Sequence, residues 1–151
     1  MIYFTRHGES VANLSDREGR SRPPDGDRLS DRGWEQARGV GERLRGTGIE
    51  VIVASHYRRA QETARAISEV LGGLPIETDE DLHEVQQSDA YYAAAPHFGK
   101  TGTITWMPGA ARTFAEPGAE SFDEVIGRVE RVQARLAARA SERVAGSHPA
   151  T

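Results

Sequence analysis

Hydrophobic residues recur at helical spacing in three stretches of the chain. These stretches cover residues 31–45, 58–71 and 121–136, and glycines end the first two. Side chains three or four positions apart lie on one face of an α-helix, so each pattern predicts an amphipathic helix that packs this face against a core. The string Ser-Phe-Asp-Glu that opens the third stretch is typical of a capping box.

Three short apolar stretches predict β-strands. They cover residues 1–5, 49–54 and 75–78. The second is almost wholly apolar and rich in β-branched residues, as expected of a strand that is buried on both faces of a sheet. A polar stretch rich in Gly and Pro, residues 15–29, predicts a loop. The alternation of strands and helices predicts an α/β fold with a mostly parallel sheet flanked by helices.

Length and composition narrow the class of protein. The 151 residues contain neither an internal repeat nor a linker, so a single domain over residues 1–151 is expected, with an irregular insert over residues 79–118. The chain has no Cys, which excludes disulfides, thiolate nucleophiles and iron–sulfur clusters. A net charge of −4 argues against a nucleic-acid partner. The longest aliphatic run is too short to span a membrane and no secretory leader is recognisable, so a cytoplasmic protein without a membrane partner is expected.

The string Arg6-His7-Gly8-Glu9-Ser10 directly follows the first predicted strand. Ligands of open α/β sheets bind at the carboxyl ends of the strands. Arg6 carries a planar, permanently charged fork that suits phosphate oxygens. His7 carries a mostly neutral ring at pH 7, which can act as a nucleophile, and Gly8 would let the backbone approach a ligand closely. By itself an Arg-His pair is more often structural, and the motifs that follow it decide its interpretation.

Four further motifs follow in order along the chain. They are Leu29-Ser30 with Gly33, Gln36 and Ala37; Ser55 with Arg59-Ala60 and Thr63-Ala64; Leu82-His83-Glu84; and Gly118-Ala119-Glu120-Ser121. Together with the first motif and Asn13, they resemble the signatures of the histidine phosphatase superfamily, also called the phosphoglycerate-mutase-like family. The resemblance covers residues 1–136 and implies a three-layer sandwich, in which helices flank a mostly parallel sheet.

The resemblance implies phosphoryl transfer through a phosphohistidine on His7. Arg6 and Arg59 would neutralise the phosphate oxygens, and Asn13 would add a neutral hydrogen bond. Glu84 would act as general acid and base, protonating the leaving oxygen and then activating water. A hydrogen bond from one ring nitrogen of His7 to a backbone carbonyl would fix its tautomer, and the sequence leaves open which nitrogen is involved.

Neighbouring residues also have structural interpretations. Glu84 belongs to an acidic stretch, residues 79–84, which by itself is typical of a solvated surface. Glu120 could complement the dipole at the start of the third helix. His83 is expected to point away from Glu84 if the segment is extended, and Arg58 is expected to be exposed.

The family's second pocket histidine has one candidate here, His148. The family places this residue in a Ser-His-Gly string after an aliphatic strand, whereas Ser147-His148 is followed by Pro149 and that strand is almost absent. The last strand and its covering helix are therefore expected to be missing. His148 is kept as a candidate phosphate-binding residue, although residues near a terminus fray unless they are docked. An unpaired sheet edge would favour a homodimer.

Three functions are open at this point. A phosphomonoester hydrolase of the histidine acid type would act on a small phosphorylated metabolite and release inorganic phosphate. A phosphoglycerate mutase would return the phosphoryl group to a bound intermediate, and a non-catalytic domain would only bind phosphate. The short insert over residues 79–118, expected on the substrate side, favours hydrolysis, because a mutase must shield its phosphoenzyme from water. The histidines form no metal-binding pattern, so no metal or other cofactor is expected.

Overall fold

The computed structural model of the chain describes residues 1–84, residue 120 and residues 122–146, with the side chains of residue 122 and residues 141–146 excepted. The chain divides into two compact units, Met1–Leu82 and His83–Thr151, and each is described by itself. The expectation of a single domain stays a prediction, as does the absence of a last strand and helix.

The first unit alternates helices with two short strands. Its elements are α1 (Val11–Arg17), α2 (Asp31–Arg43), β1 (Ile52–Ala54), α3 (Arg58–Val70), β2 (Ile76–Thr78) and a single turn of 3-10 helix (Glu80–Leu82). Strands β1 and β2 pair in parallel, and Val53 lies opposite Glu77. A parallel pair needs a crossover connection, which α3 supplies. The α/β class with a parallel sheet is thereby confirmed.

Small side chains let α2 and α3 approach each other closely. Ala37 on α2 and Ala64 on α3 are both buried, as their helical spacing predicts. A Cβ atom built on Gly41 of α2 would lie 2.8 Å from the Cβ atom of Val70 on α3, so the helix axes meet where one side chain is absent. The predicted bounds of both helices hold to within two residues because their apolar stripes end at glycines.

Two predictions for the first unit are wrong. Residues 1–5 do not form a strand, and Met1 and Phe4 are 100% and 78% exposed. A strand is stable only when a neighbour satisfies its backbone groups, and no strand in the described part of the chain pairs with this segment. Helix α1 overlaps the region predicted as a loop. Its seven residues combine three apolar with four polar side chains, and a capping box at its first turn stabilises it.

The second unit contains the long helix α4 (Phe122–Gly146), which begins as predicted and runs past the predicted end at Leu136. Val132 on this helix is buried, as its spacing predicts. The predicted capping residue Ser121 and most of the insert, residues 85–118, lie outside the described residues. None of the helices in the described ranges is long and apolar enough to cross a membrane.

Candidate active site

The loop that carries Arg6 and His7 is tied to the first turn of α3 by two consecutive hydrogen bonds. The backbone N–H of Gly8 donates to Thr63 Oγ1 at 3.0 Å, and the Thr63 hydroxyl donates to the carbonyl oxygen of Arg59 at 2.7 Å. The neighbour of the predicted nucleophile is thus linked to the predicted phosphate-binding arginine through a single side chain. Thr63 is the threonine of the Arg-Ala-x-x-Thr-Ala motif, and these two hydrogen bonds explain why a hydroxyl side chain stands at this position.

The same loop also touches the start of α2, backbone against backbone. A Cβ atom on Gly8 would lie 2.3 Å from the carbonyl oxygen of Gly33, and one on Gly33 would lie 2.1 Å from the carbonyl oxygen of Glu9. Neither distance is sterically allowed, so both positions require glycine. The structure shows that the close neighbour of Gly8 is the backbone of α2, and the expectation that Gly8 lets the backbone approach a ligand stays a prediction.

The hydrogen bond of the His7 ring fixes its neutral tautomer. His7 Nδ1 lies 2.7 Å from the carbonyl oxygen of Gly8. A carbonyl oxygen can only accept, so Nδ1 carries the proton. In a neutral imidazole one nitrogen donates and the other holds the lone pair, which places the lone pair on Nε2. The question that the sequence left open is thus answered by the carbonyl of the next residue.

Glu9 holds the other side of the loop in place. Its carboxylate accepts a hydrogen bond from the Ser30 hydroxyl at 2.8 Å and forms an ion pair with Arg17. Its backbone carbonyl accepts from the Ser30 N–H at 2.9 Å, and its N–H donates to Gln36 Oε1 at 2.8 Å. The Ser30 hydrogen bond, together with the positive charge of Arg17, lowers the pKa of Glu9 below its ordinary value. Ser30 and Gln36 belong to the second motif, and in the structure both anchor this loop.

Asn13 caps α1 in the structure. The Ser10 N–H donates to Asn13 Oδ1, and the Asn13 N–H donates to Ser10 Oγ, both at 3.1 Å. This reciprocal pair fixes the carboxamide through its oxygen. The carboxamide nitrogen of Asn13 carries two N–H groups, which are able to donate hydrogen bonds to phosphate oxygens.

Arg59 is positioned by an acidic residue and an aromatic ring. Its guanidinium forms an ion pair with Asp27 and lies 4.4 Å from the centroid of the Tyr57 ring. Asp27 also accepts a hydrogen bond from the backbone N–H of Arg58 at 2.8 Å, at the N-terminus of α3. The Arg59 side chain is 18% exposed, whereas the Arg58 side chain is 57% exposed, as predicted, and pairs with Glu62. No feature of the sequence singled out Asp27, which lies in a polar loop.

In the second unit, Glu84 is exposed next to a buried charge cluster. Its carbonyl oxygen accepts a hydrogen bond from His83 Nδ1 at 2.7 Å. Arg128 of α4 binds both carboxylate oxygens of Glu120, with distances of 2.8 Å and 2.9 Å. Glu120 therefore pairs with a buried guanidinium, which corrects the expectation that it only complements a helix dipole. Arg128 could not be predicted from the sequence, because one more arginine in an arginine-rich helix gives no signal.

The predicted site residues are thus distributed over both units. Arg6 (exposed), His7, Asn13 and Arg59 belong to the first unit, and Glu84 belongs to the second. His148 lies outside the described residues. Within the described ranges no group of three or more His, Asp or Glu side chains could hold a metal ion.

Comparisons with known proteins identify the family that these motifs come from. The family model described as the histidine phosphatase superfamily (branch 1) matches residues 2–151. A curated relative from Enterobacter sp. (strain 638), named "Probable phosphoglycerate mutase GpmB", is 43% identical over 72 residues, which are 47% of this chain and 32% of the relative.

Solved structures of two phosphatases are similar to this chain. The alpha-ribazole phosphatase from Shigella flexneri aligns with a TM-score of 0.62 and 26% identity, over 89% of this chain and 66% of that one. A mycobacterial glucosyl-3-phosphoglycerate phosphatase aligns with a TM-score of 0.60 and 28% identity, over 88% of this chain and 61% of that one. The chain spans 32% of the length of the curated mutase and less than two thirds of either phosphatase.

Replacing Gly33 by Ala should destabilise the first unit, because the new Cβ atom would meet the carbonyl oxygen of Glu9. We expect Gly33→Ala to lower the free energy of unfolding by about 1–3 kcal/mol, the usual cost of overpacking. Gly39→Ala on the same helix is the matched control. The nearest atom to its Cβ would be 3.8 Å away, so it should gain up to about 1 kcal/mol from helix propensity. Urea denaturation of both variants measures the difference, and equal stability would contradict the proposed backbone contact.

The lowered pKa of Glu9 makes its contribution to stability depend on pH. A folded pKa below the ordinary value of 4.5 stabilises the fold above that value, and this contribution is lost as the pH falls through the folded pKa. Glu9→Gln should therefore be less stable than the parent protein at neutral pH, and the difference should disappear in acid. Unfolding free energies at several pH values check this. Glu35→Gln, at an exposed position of α2, is the control. If Glu9→Gln lowers the free energy of unfolding by the same amount at every pH, the account is contradicted.

Proposed function

Because the chain belongs to the histidine phosphatase superfamily, we propose that it hydrolyses phosphomonoesters through a phosphohistidine on His7. The observation that carries this proposal is the hydrogen bond from His7 Nδ1 to the Gly8 carbonyl, which puts the lone pair of the neutral ring on Nε2. A nucleophile must hold its lone pair in a fixed direction toward phosphorus. A ring that is anchored at one nitrogen by its own loop meets this requirement.

In the first step, His7 Nε2 attacks the phosphorus atom in line with the ester oxygen. The P–N bond forms while the P–O bond to the alcohol breaks, and the leaving oxygen takes a proton from the Glu84 carboxyl group. Arg6 and Arg59 offset the negative charge on the three equatorial oxygens, and the amide nitrogen of Asn13 donates a further hydrogen bond. Positioned donors of this kind act without reorganising during the reaction.

In the second step, water releases the phosphate. The Glu84 carboxylate takes a proton from water as the water oxygen attacks phosphorus, and the P–N bond breaks. Inorganic phosphate leaves, the lone pair returns to His7 Nε2, and Glu84 is again protonated for the next ester. No metal ion or other cofactor enters these steps. His148 is proposed as a further phosphate-binding residue that would add one more donor.

The ion pair with Asp27 holds the Arg59 guanidinium in one orientation. This favours the assignment of Arg59 as a phosphate-binding residue. A guanidinium has five N–H donors in a rigid fork, so one edge can bind a carboxylate while the other binds a phosphate. Contact with the Tyr57 ring adds a second constraint on the plane of the fork. We therefore assign Asp27 and Tyr57 the role of orienting Arg59.

The substrate class proposed here is a small phosphorylated metabolite, and the location proposed is the cytoplasm. The two solved structures described above are named as an alpha-ribazole phosphatase and a glucosyl-3-phosphoglycerate phosphatase, and these names favour hydrolysis. The second candidate function is a phosphoglycerate mutase, which the 43% identity to the Enterobacter relative favours. The two reactions share the phosphohistidine and differ only in whether water or a bound intermediate receives the phosphoryl group.

Two substrates separate the candidates. A phosphatase should release phosphate from p-nitrophenyl phosphate, whereas a mutase should convert 3-phosphoglycerate into its isomer without releasing phosphate. His7→Ala should abolish either activity and also the acid-labile phosphoryl label on the protein, because the attacking nitrogen is gone. An undiminished label in His7→Ala would place the nucleophile elsewhere. Absence of both reactions in the parent chain would leave a phosphate-binding domain.

Two adjacent arginines provide a matched test of the phosphate site. Arg59→Lys should lower kcat by about 10²-fold, because a point charge replaces a fork that donates to the transition state. Arg58→Lys should leave kcat unchanged, since that side chain is largely exposed and pairs with Glu62. Steady-state kinetics with p-nitrophenyl phosphate make the comparison. Equal effects of the two substitutions would remove Arg59 from the site.

A further inference from the structure

A buried ion pair in the second unit holds the backbone next to Glu84. Arg128 is 6% exposed, and two of its nitrogens, Nε and Nη2, donate to the two carboxylate oxygens of Glu120 at 2.8 Å and 2.9 Å. Its third nitrogen, Nη1, donates to the carbonyl oxygen of His83 at 2.8 Å. All three guanidinium nitrogens are therefore engaged. A charge removed from water to this extent is stable only when it is paired and hydrogen-bonded, so this geometry is strongly constrained.

The cluster fixes both peptide groups that flank the Cα atom of Glu84. The carbonyl that Arg128 binds belongs to the peptide between His83 and Glu84. The next carbonyl, that of Glu84 itself, accepts the hydrogen bond from His83 Nδ1 at 2.7 Å. The other ring nitrogen of His83 lies 3.6 Å from a carboxylate oxygen of Glu120. The His83 ring therefore lies between Glu120 and the Glu84 carbonyl, beside the carbonyl that Arg128 binds.

We propose that Arg128 and Glu120 are positioning residues for Glu84, the general acid of the proposed reaction. The inference rests on the proposed function for the role of Glu84, and on the contacts above for its position. A proton donor acts only within hydrogen-bonding distance of the leaving oxygen, so its backbone must be fixed to a fraction of an ångström. Neither Arg128 nor Glu120 is assigned a contact with the substrate. Their effect passes through the two carbonyl groups beside Glu84.

The dependence of the rate on the leaving group separates positioning from a merely structural role. A misplaced acid slows esters whose alcohol needs a proton, such as an alkyl phosphate. It hardly affects the departure of p-nitrophenolate, which leaves without protonation. A general loss of folded protein would instead lower the rates for both esters by the same factor. The informative quantity is therefore the ratio of kcat/KM for the two esters, because kcat/KM ends with departure of the alcohol and leaves out the water step, in which Glu84 acts for both esters.

Arg128→Lys is the principal variant, because lysine keeps the charge but cannot bind two carboxylate oxygens and a carbonyl at once. We expect its kcat/KM to fall by about 10- to 100-fold for an alkyl phosphate, as for a misplacement of about 1 Å, with little change in kcat/KM for p-nitrophenyl phosphate. Glu120→Gln should act in the same direction. Arg131→Lys, at an exposed position of α4, is the matched control and should change neither rate.

Glu84→Gln serves as the reference that separates failure of this inference from failure of the proposed function. If Glu84→Gln lowers kcat/KM only for the alkyl phosphate and Arg128→Lys leaves the ratio unchanged, the positioning role is overturned. If Glu84→Gln lowers kcat/KM equally for both esters, the general-acid role of Glu84 is overturned and the positioning role falls with it. A shared change of the ratio in both variants supports the inference.

A second measurement does not depend on turnover. The backbone amide resonances of residues 83 and 84 and the ring resonances of His83 should shift in the NMR spectra of Arg128→Lys and Glu120→Gln, and should stay in place in Arg131→Lys. Unshifted resonances in the two cluster variants would overturn the proposal even if the chain had no activity. Should Arg128→Lys not fold, Glu120→Gln carries both measurements, because it keeps the size and one accepting oxygen of the native side chain.

Discussion

The backbone contact between Gly8 and Gly33 is the constraint on which the rest of the candidate site depends. It brings the loop that carries Arg6 and His7 against the start of α2, with no room for a side chain on either residue. Once the loop is seated there, Thr63 can bind the Gly8 N–H and Ser30 can bind Glu9. The His7 ring then receives its orientation from the carbonyl of Gly8. A contact without side chains thus sets the direction of the proposed nucleophile.

Much of the fold could be predicted from local patterns. Helices α2 and α3 were predicted with nearly correct bounds, because an apolar stripe closed by glycines is a strong and purely local signal. The strand over residues 1–5 was wrong, because apolar character favours a strand but cannot supply a pairing neighbour. Helix α1 was missed because Asn13 closes its capping box where Glu or Gln is usual.

In the candidate site, the motif residues could be predicted from the sequence, whereas the residues that hold them in place could not. The roles of His7, Arg59 and Glu84 come from the resemblance of their motifs to the histidine phosphatase superfamily, to which the chain belongs, and they stay predictions. Their partners were not predictable. Asp27 lies 32 residues from Arg59, and Arg128 lies 45 residues from His83, so both pairings are created by the fold. In each unit a motif residue is held by an ion pair whose second member carries no sequence signal.

The ring nitrogen of His7 that carries the phosphoryl group is the most direct test of the proposed nucleophile. Nitrogen-15 and phosphorus-31 NMR of the phosphorylated protein can distinguish a bond to Nε2 from a bond to Nδ1. Because Nδ1 donates a hydrogen bond to the Gly8 carbonyl, the predicted product is phosphorylated on Nε2 and keeps the proton on Nδ1. Phosphorus bound to Nδ1, or to any residue other than His7, would contradict the account.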